Sequence, residues 1–311
     1  MAAGQKTMRR RRLRVRTKRV NRSLGGNLLL VLILALLGVF MALPLVYAVV
    51  NAFKPLEEFF MFPPKFIVMH PTLNNFLDLF EITANSWVPF SRYVFNSVFV
   101  SVAATGLYLV IAAMCAYVLA KHEFFGKKTL SQIITLSLLF TSPTVMAIPQ
   151  YIILAKLGMI DTSLAIIFPA LGSTMGVFLL KQTMETFPDS IIESAKIEGA
   201  GEMSICWRIV MPAVKPGWIT LLIFTFQGVW NNTAVNMIFT ENKKVLPTML
   251  TQLSTGTSQV TTGLTSVYTG GIARAGVGAV ASLFILIPPI VVFLISQSQV
   301  IETMAHSGIK E

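Results

Sequence analysis

FPDSIIESAKIEGAGEMSICWRIVMPAVKP, residues 187–216, is the longest polar interruption in the second half of the chain that still has order written into it. Pro188, Asp189 and Ser190 read as a helix start, with a carboxylate and a hydroxyl able to accept bonds from the orphan N–H groups of a first turn. Ile191, Ile192 and Ala195 then share one helical face, extended weakly at Glu198. Gly199 and Gly201 bracket Ala200, where a left-handed residue can end one helix before another begins. Residues 202–210 read as a second short amphipathic helix, stopped by Pro212 and Pro216. Apolar stretches flank the pair on both sides. The pattern predicts a membrane protein's handle on something soluble.

The 311-residue chain is 54% hydrophobic and only 13% charged, where a soluble domain has about 25% charged residues. The shortage places most of it in a bilayer. Cys115 and Cys206 lie far apart in sequence and suggest neither a disulfide framework nor a metal site. His70, His122 and His306 show no ligand spacing. No zinc-protease, nucleophile-elbow or phosphate-loop motif occurs, so no catalytic residue, cofactor or metal is expected.

The first 22 residues hold ten Lys/Arg and no acid. Such a run suits nucleic acid or anionic lipid, but an apolar span follows at once. The reading adopted is a basic cytoplasmic tail over residues 1–26, with no nucleic-acid partner. Residues 28–50 are too long for a signal-peptide core. Six stretches approach the ~20 apolar residues a span needs: 28–50, 93–119, 130–153, 162–180, 218–239 and 276–296. Gly172 and Gly176 make a small-xxx-small pair in the fourth, a signal for close helix packing.

With the N-terminus inside, segments on the cytoplasmic side carry eighteen Lys/Arg and outer segments seven, which puts both termini in the cytoplasm. Without the tail the count is eight against seven, so the tail decides. Residues 187–216 then face the cytoplasm, and segments 54–92 and 240–273 face out.

No Asp, Glu, Lys, Arg or His falls inside any of the six stretches. Ion- or proton-coupled carriers usually keep an ionisable group at membrane depth. Its absence argues against a self-sufficient secondary carrier. That class stays open, since a sodium site of carbonyls and hydroxyls would need no such group. No convergent His, Asp, Cys or Ser set supports a membrane enzyme. The polar groups at depth are neutral: Asn96 in the second span, and Gln227, Asn231, Asn232 and Asn236 in the fifth, with Trp230 among them. An indole beside amides suits a polyhydroxylated solute. Equally, such amides bond across packed helices and such an indole anchors at an interface.

Glu193-Ser194-Ala195, three residues, Gly199, nine residues, then Ile209-x-Met211-Pro212 resembles the EAA loop of bacterial ABC importer permeases, which reads Glu-Ala-Ala, three residues, Gly, nine residues, Ile-x-Leu-Pro. Ser194 and Met211 depart from it, and the spacing is intact. Residues 157–201 and 207–232 are similar to the carbohydrate branch, which includes the smaller permease of maltose-type importers. That branch's Trp-Asn-Asp stands here as Trp230-Asn231-Asn232, without the acid. The short C-terminus from Met304 also resembles the family's, and the likeness covers roughly residues 28–311.

The resemblance implies an all-α polytopic permease domain over residues 27–311, with six transmembrane helices in the type I importer fold and no ATPase site of its own. It implies a second permease subunit, two ATP-binding subunits and an extracytoplasmic solute-binding protein, in the bacterial cytoplasmic membrane. Glu193, Ser194, Ala195, Glu198, Gly199, Ile209, Met211 and Pro212 would form the coupling element to an ATPase. In that role Glu193 offers an anion, Ala195 allows close approach, Gly199 allows the turn, and Pro212 ends the second helix. Asn96, Gln227, Trp230, Asn231 and Asn232 are the candidate solute path.

Overall fold

The structure is a computed structural model that describes residues 24–59, 61–63, 65–84, 88–140, 143–233, 237–255 and 273–307. The basic arm through residue 23, Asn236 and residues 256–272 of the second outer segment lie outside them. Among the described residues every regular element is helical.

The order is α1 (Leu24–Ala52), α2 (Leu56–Phe59), α3 (Asn74–Ala84), α4 (Phe90–Lys121), α5 (Lys127–Phe140), α6 (Pro143–Lys156), α7 (Leu164–Leu171) and α8 (Thr174–Glu185). There follow α9 (Asp189–Ile197), α10 (Glu202–Ser204), a π-helical turn (Ile205–Val210), α11 (Met211–Ala213) and α12 (Lys215–Trp230). A 3₁₀ turn (Glu241–Lys243), α13 (Leu246–Thr255) and α14 (Ala273–Ser307) complete the chain.

Two compact units divide it, Met1–Tyr47 and Ala48–Glu311. The boundary falls inside α1. In the first unit, every residue from 25 to 47 is exposed. So long and apolar a surface belongs in lipid or against another apolar chain.

The second unit is built on α4. Its buried residues recur every three or four positions: Tyr93, Asn96, Ser97, Val100, Ala104, Tyr108, Ala112, Ala116 and Tyr117. That spacing makes one continuous stripe along the helix. α4 contributes to all three apolar cores, with Tyr93 in one, Val100 and Ala104 in another, and Tyr108 to Tyr117 in the third. Small residues on the stripe let neighbours come close. The predicted small pair proves asymmetric: a Cβ on Gly176 would run into the Leu221 and Tyr108 side chains, whereas one on Gly172 meets only the Pro169 carbonyl at 3.6 Å. Gly176 is therefore where α8 crosses α4 and α12.

Four described helices are long and apolar enough to cross a membrane, or five if the bent pair at residues 202–230 counts as one span. The stretch predicted at 130–153 is divided between α5 and α6, on either side of residues 141–142. The stretch predicted at 218–239 is corrected more sharply. α12 ends at Trp230, where the Asn231 N–H returns to the Gln227 carbonyl. Two successive asparagines favour that ending because their side chains compete for backbone bonds.

Candidate functional site

α9 starts at Pro188 without a side-chain cap. Of the predicted caps, Asp189 instead pairs with the Lys121 ammonium at 2.7 Å. Ile192 and Ala195 turn inward; Ile191, expected on the same face, is exposed.

The helix ends in a Schellman motif. The Ala200 N–H bonds to the Ala195 carbonyl and the Gly199 N–H to the Lys196 carbonyl, both at 3.0 Å. Gly199 supplies the left-handed residue, with φ +84°. Gly201 has φ −72° and does not share that role.

The second helix of the hairpin departs from a plain α-helix. Ile205–Val210 is π-helical, and the Met211 N–H reaches back to the Cys206 carbonyl. Pro212 was expected to stop the helix, yet helical backbone runs on through Ala213. The wider turn accommodates a residue that lacks an N–H and whose ring would crowd the preceding turn. The break comes at Val214, and the segments on either side meet at 86°. The Trp218 indole N–H donates to the Met211 carbonyl at 3.1 Å across this bend. Gly217 lets the start of α12 approach Thr183 of α8.

Burial sorts the motif residues. Ala195 and Met211 lie in the core with Ile205, Cys206 and Val210, and Ile209 packs against that core. Ala195 thus permits close approach of α9 to its own chain. Glu193, Ser194, Glu198, Gly199 and Pro212 are exposed.

The end of α4 holds this hairpin at two places. Lys121, with a side chain only 4% exposed, donates to the Phe187 carbonyl at 2.6 Å as well as to Asp189. Glu202 accepts the Tyr117 hydroxyl at 2.8 Å, lies 3.2 Å from His122 Nε2 and pairs with Lys196 at 2.7 Å. Sequence reasoning missed all of these. A lysine at a span's end reads as topogenic, and nothing local joins it to Asp189, 68 residues away.

The opposite end of α4 holds a second turn. Tyr93 donates to Glu241 at 3.0 Å, Asn96 to the carbonyls of Asn242 and Lys244 at 2.9 Å each, and the Leu246 N–H to Ser97 at 2.6 Å. Asp161 braces the same region from before α7. It accepts the N–H groups of Phe239 and Thr240 and the Thr240 hydroxyl, with Lys243 at 3.5 Å. Burial pushes its carboxyl up; the Thr240 and Phe239 bonds and the Lys243 charge outweigh that and hold it at about 2.

The five solute-path candidates separate in the same way. Asn96 is buried on those two carbonyls. Trp230 is 2% exposed, stacks on Phe226 at 5.9 Å and donates its indole N–H to the Ile285 carbonyl at 3.0 Å. Asn96 thus bonds to the turn at residues 240–246, and Trp230 bonds across to α14. Gln227, Asn231 and Asn232 are exposed around the end of α12, and the two asparagines lie beyond its last helical residue.

No model of a protein family matches the chain. It is 30% identical over 207 residues to Protein LplC of Bacillus subtilis, covering 65% of this chain and 66% of that protein. It is 26% identical over 279 residues to the inner membrane ABC transporter permease protein YcjP of Escherichia coli, covering 89% and 94%. A diacetylchitobiose uptake system permease protein, NgcG of Streptomyces coelicolor, is 30% identical over 204 residues, 64% of each chain. The match therefore spans just under two thirds of LplC and NgcG and nearly all of YcjP. Among solved structures, a chain of a bacterial ABC transporter that imports alginate shares the fold, with a TM-score of 0.72 over 89% of this chain and 98% of its own, at 18% identity. The relatives of this chain are thus ABC transporter permeases, carbohydrate permeases among them, and the solved permease chain shares its fold.

Proposed function

We propose that this chain is the membrane-spanning permease subunit of an ATP-driven importer of a sugar or oligosaccharide. The hairpin at residues 187–216 is the element through which ATPase closure drives alternating access. The observation that carries this is the hairpin itself: a helix closed by a left-handed Gly199, anchored inward by Ala195 and Met211, with Glu193, Ser194 and Glu198 left on its outer face. An interface that transmits motion needs a rigid element, and a short helix fixed at both ends is one.

Relatives named for diacetylchitobiose and arabinooligosaccharide transport support a carbohydrate solute. The exposed amides of Gln227, Asn231 and Asn232 supply donors and acceptors suited to sugar hydroxyls. The excess of Lys/Arg on one side supports a cytoplasmic hairpin with both termini inside, and six spans in all, with α5 and α6 together making the third. The partners are a second permease, two ATP-binding subunits and an extracytoplasmic binding protein, in the bacterial cytoplasmic membrane.

The test is purification of the tagged chain from native membranes. An ATP-binding subunit and a second permease are expected to accompany it, and vesicles holding the set should take up labelled oligosaccharide only with ATP. Uptake by this chain alone under an ion gradient, without ATP, would establish a secondary carrier in its place.

A further inference from the structure

We propose that Glu202 is a positioning residue that makes the hairpin and α4 move as one body, so that α4 carries hairpin displacement to the turn at residues 240–246. This rests on the permease reading above and adds to it a route for the motion.

Three observations carry it. Glu202 bridges two elements with separate oxygens: Oε1 faces Lys196 on α9, while Oε2 takes the Tyr117 hydroxyl and faces His122 at the end of α4. The other end of α9 is held to the same helix by Lys121, through Asp189 and the Phe187 carbonyl. Ile192 and Ala195 pack α9 into the core shared with α4, and a polar contact at each end opposes pivoting about that packing.

α4 is suited to pass the motion on. It has 32 residues, about 48 Å of helix at 1.5 Å per residue, and no proline. α1, α6, α7 and α14 all contain proline, the usual cause of a kink. At its far end, Tyr93, Asn96 and Ser97 hold the 240–246 turn through four hydrogen bonds. The helix thus has a polar clamp at each end and apolar packing between.

Pulsed EPR on the purified full complex tests this. Spin labels go on Ile197→Cys, a side chain 87% exposed at the Glu202 end of α9, and on the exposed Asn242→Cys. The background is Cys115→Ser and Cys206→Ala. In the parent, the distance between labels is expected to be narrow and the same in nucleotide-free and ATP–vanadate-trapped complexes. In Glu202→Ala and in Lys196→Met, which leaves the Tyr117 bond intact, the distribution is expected to broaden and to shift on trapping, with vanadate-sensitive ATP turnover retained. Glu202→Gln keeps an acceptor for Tyr117 and should broaden less than Glu202→Ala.

A parent distance that shifts on trapping overturns the proposal. So does a narrow, unshifted distance in both Glu202→Ala and Lys196→Met. If Glu202→Ala fails to assemble, Lys196→Met decides alone. Absence of any ATPase from the parent complex would overturn the permease reading itself, and this proposal with it.

Discussion

Lys121 and Asp189 meet at 2.7 Å, although one side chain is almost wholly buried and the other is open to solvent. The asymmetry assigns the roles. The ammonium's buried obligation is the Phe187 carbonyl, and the exposed carboxylate adds a screened ion pair. Lys121→Met should therefore cost about 1–3 kcal/mol, because it strips a donor from a partly buried group. Asp189→Asn should cost about 1 kcal/mol or less. Thermal unfolding of the detergent-solubilised protein measures both, and equal losses would contradict the assignment.

Gly199 sits at φ +84° with nothing within 4 Å of a built Cβ. The obstacle to a side chain there is conformational, not steric. Gly199→Ala should cost about 1–2 kcal/mol, and Gly199→Asn less, since Asn tolerates the left-handed region. Gly199→Pro can adopt neither the φ nor the N–H bond to Lys196. It should insert normally into membranes and fail to copurify with an ATP-binding subunit. Copurification at the parent level, with normal uptake, would sink this.

Trp218 closes the 86° bend by donating to the Met211 carbonyl. Trp218→Phe keeps the ring's bulk and removes the donor, leaving that carbonyl short of a partner at a cost of about 1–3 kcal/mol. Protease nicking within residues 199–216 should speed up in Trp218→Phe while cleavage elsewhere stays constant.

Asp161 gives a pH dependence with a definite sign. Its carboxyl binds a proton more weakly in the folded chain, at about 2, than at its ordinary value of 3.8. The charged form therefore stabilises the fold in full above about pH 4. That contribution fades as the pH drops further and is gone below about 2. Unfolding followed between pH 5 and 2 should show the slope in the parent chain. Asp161→Asn should flatten it, and an unchanged slope would assign it to other groups.

The amides at the end of α12 divide by exposure. Gln227→Ala and Asn231→Ala should lower solute uptake about tenfold with little change in unfolding temperature, each removing a hydrogen-bonding group from an open surface. Trp230→Phe should do the reverse, lowering stability through the lost bond to the Ile285 carbonyl. Paired uptake and melting measurements on the three variants separate the two behaviours.

The hairpin was legible in residues 187–216 because its signals are local. A glycine that needs a left-handed backbone, inward positions three residues apart and motif spacing all act within a few turns, and Gly199, Ile192 and Ala195 stand as those signals imply. Hydropathy likewise marked the long apolar helices, since a bilayer's thickness sets their length. The errors came where a local signal competes with a distant partner. Asp189 reads as a cap and serves Lys121, and Pro212 reads as a stop and rides on a π-turn. For Asn96 and Trp230 the sequence left solute contact and bonding to packed neighbours equally open, and each donates to a distant carbonyl.

By itself, then, the sequence determined an apolar helical chain with one ordered polar hairpin and the family to which that hairpin points. Only the tertiary structure decided that α4 grips the hairpin at one end and the 240–246 turn at the other. Those bonds join residues separated by 66 to 149 positions. A hydrogen bond depends on geometry at about 3 Å, and no periodicity along the chain encodes which distant groups will come that close.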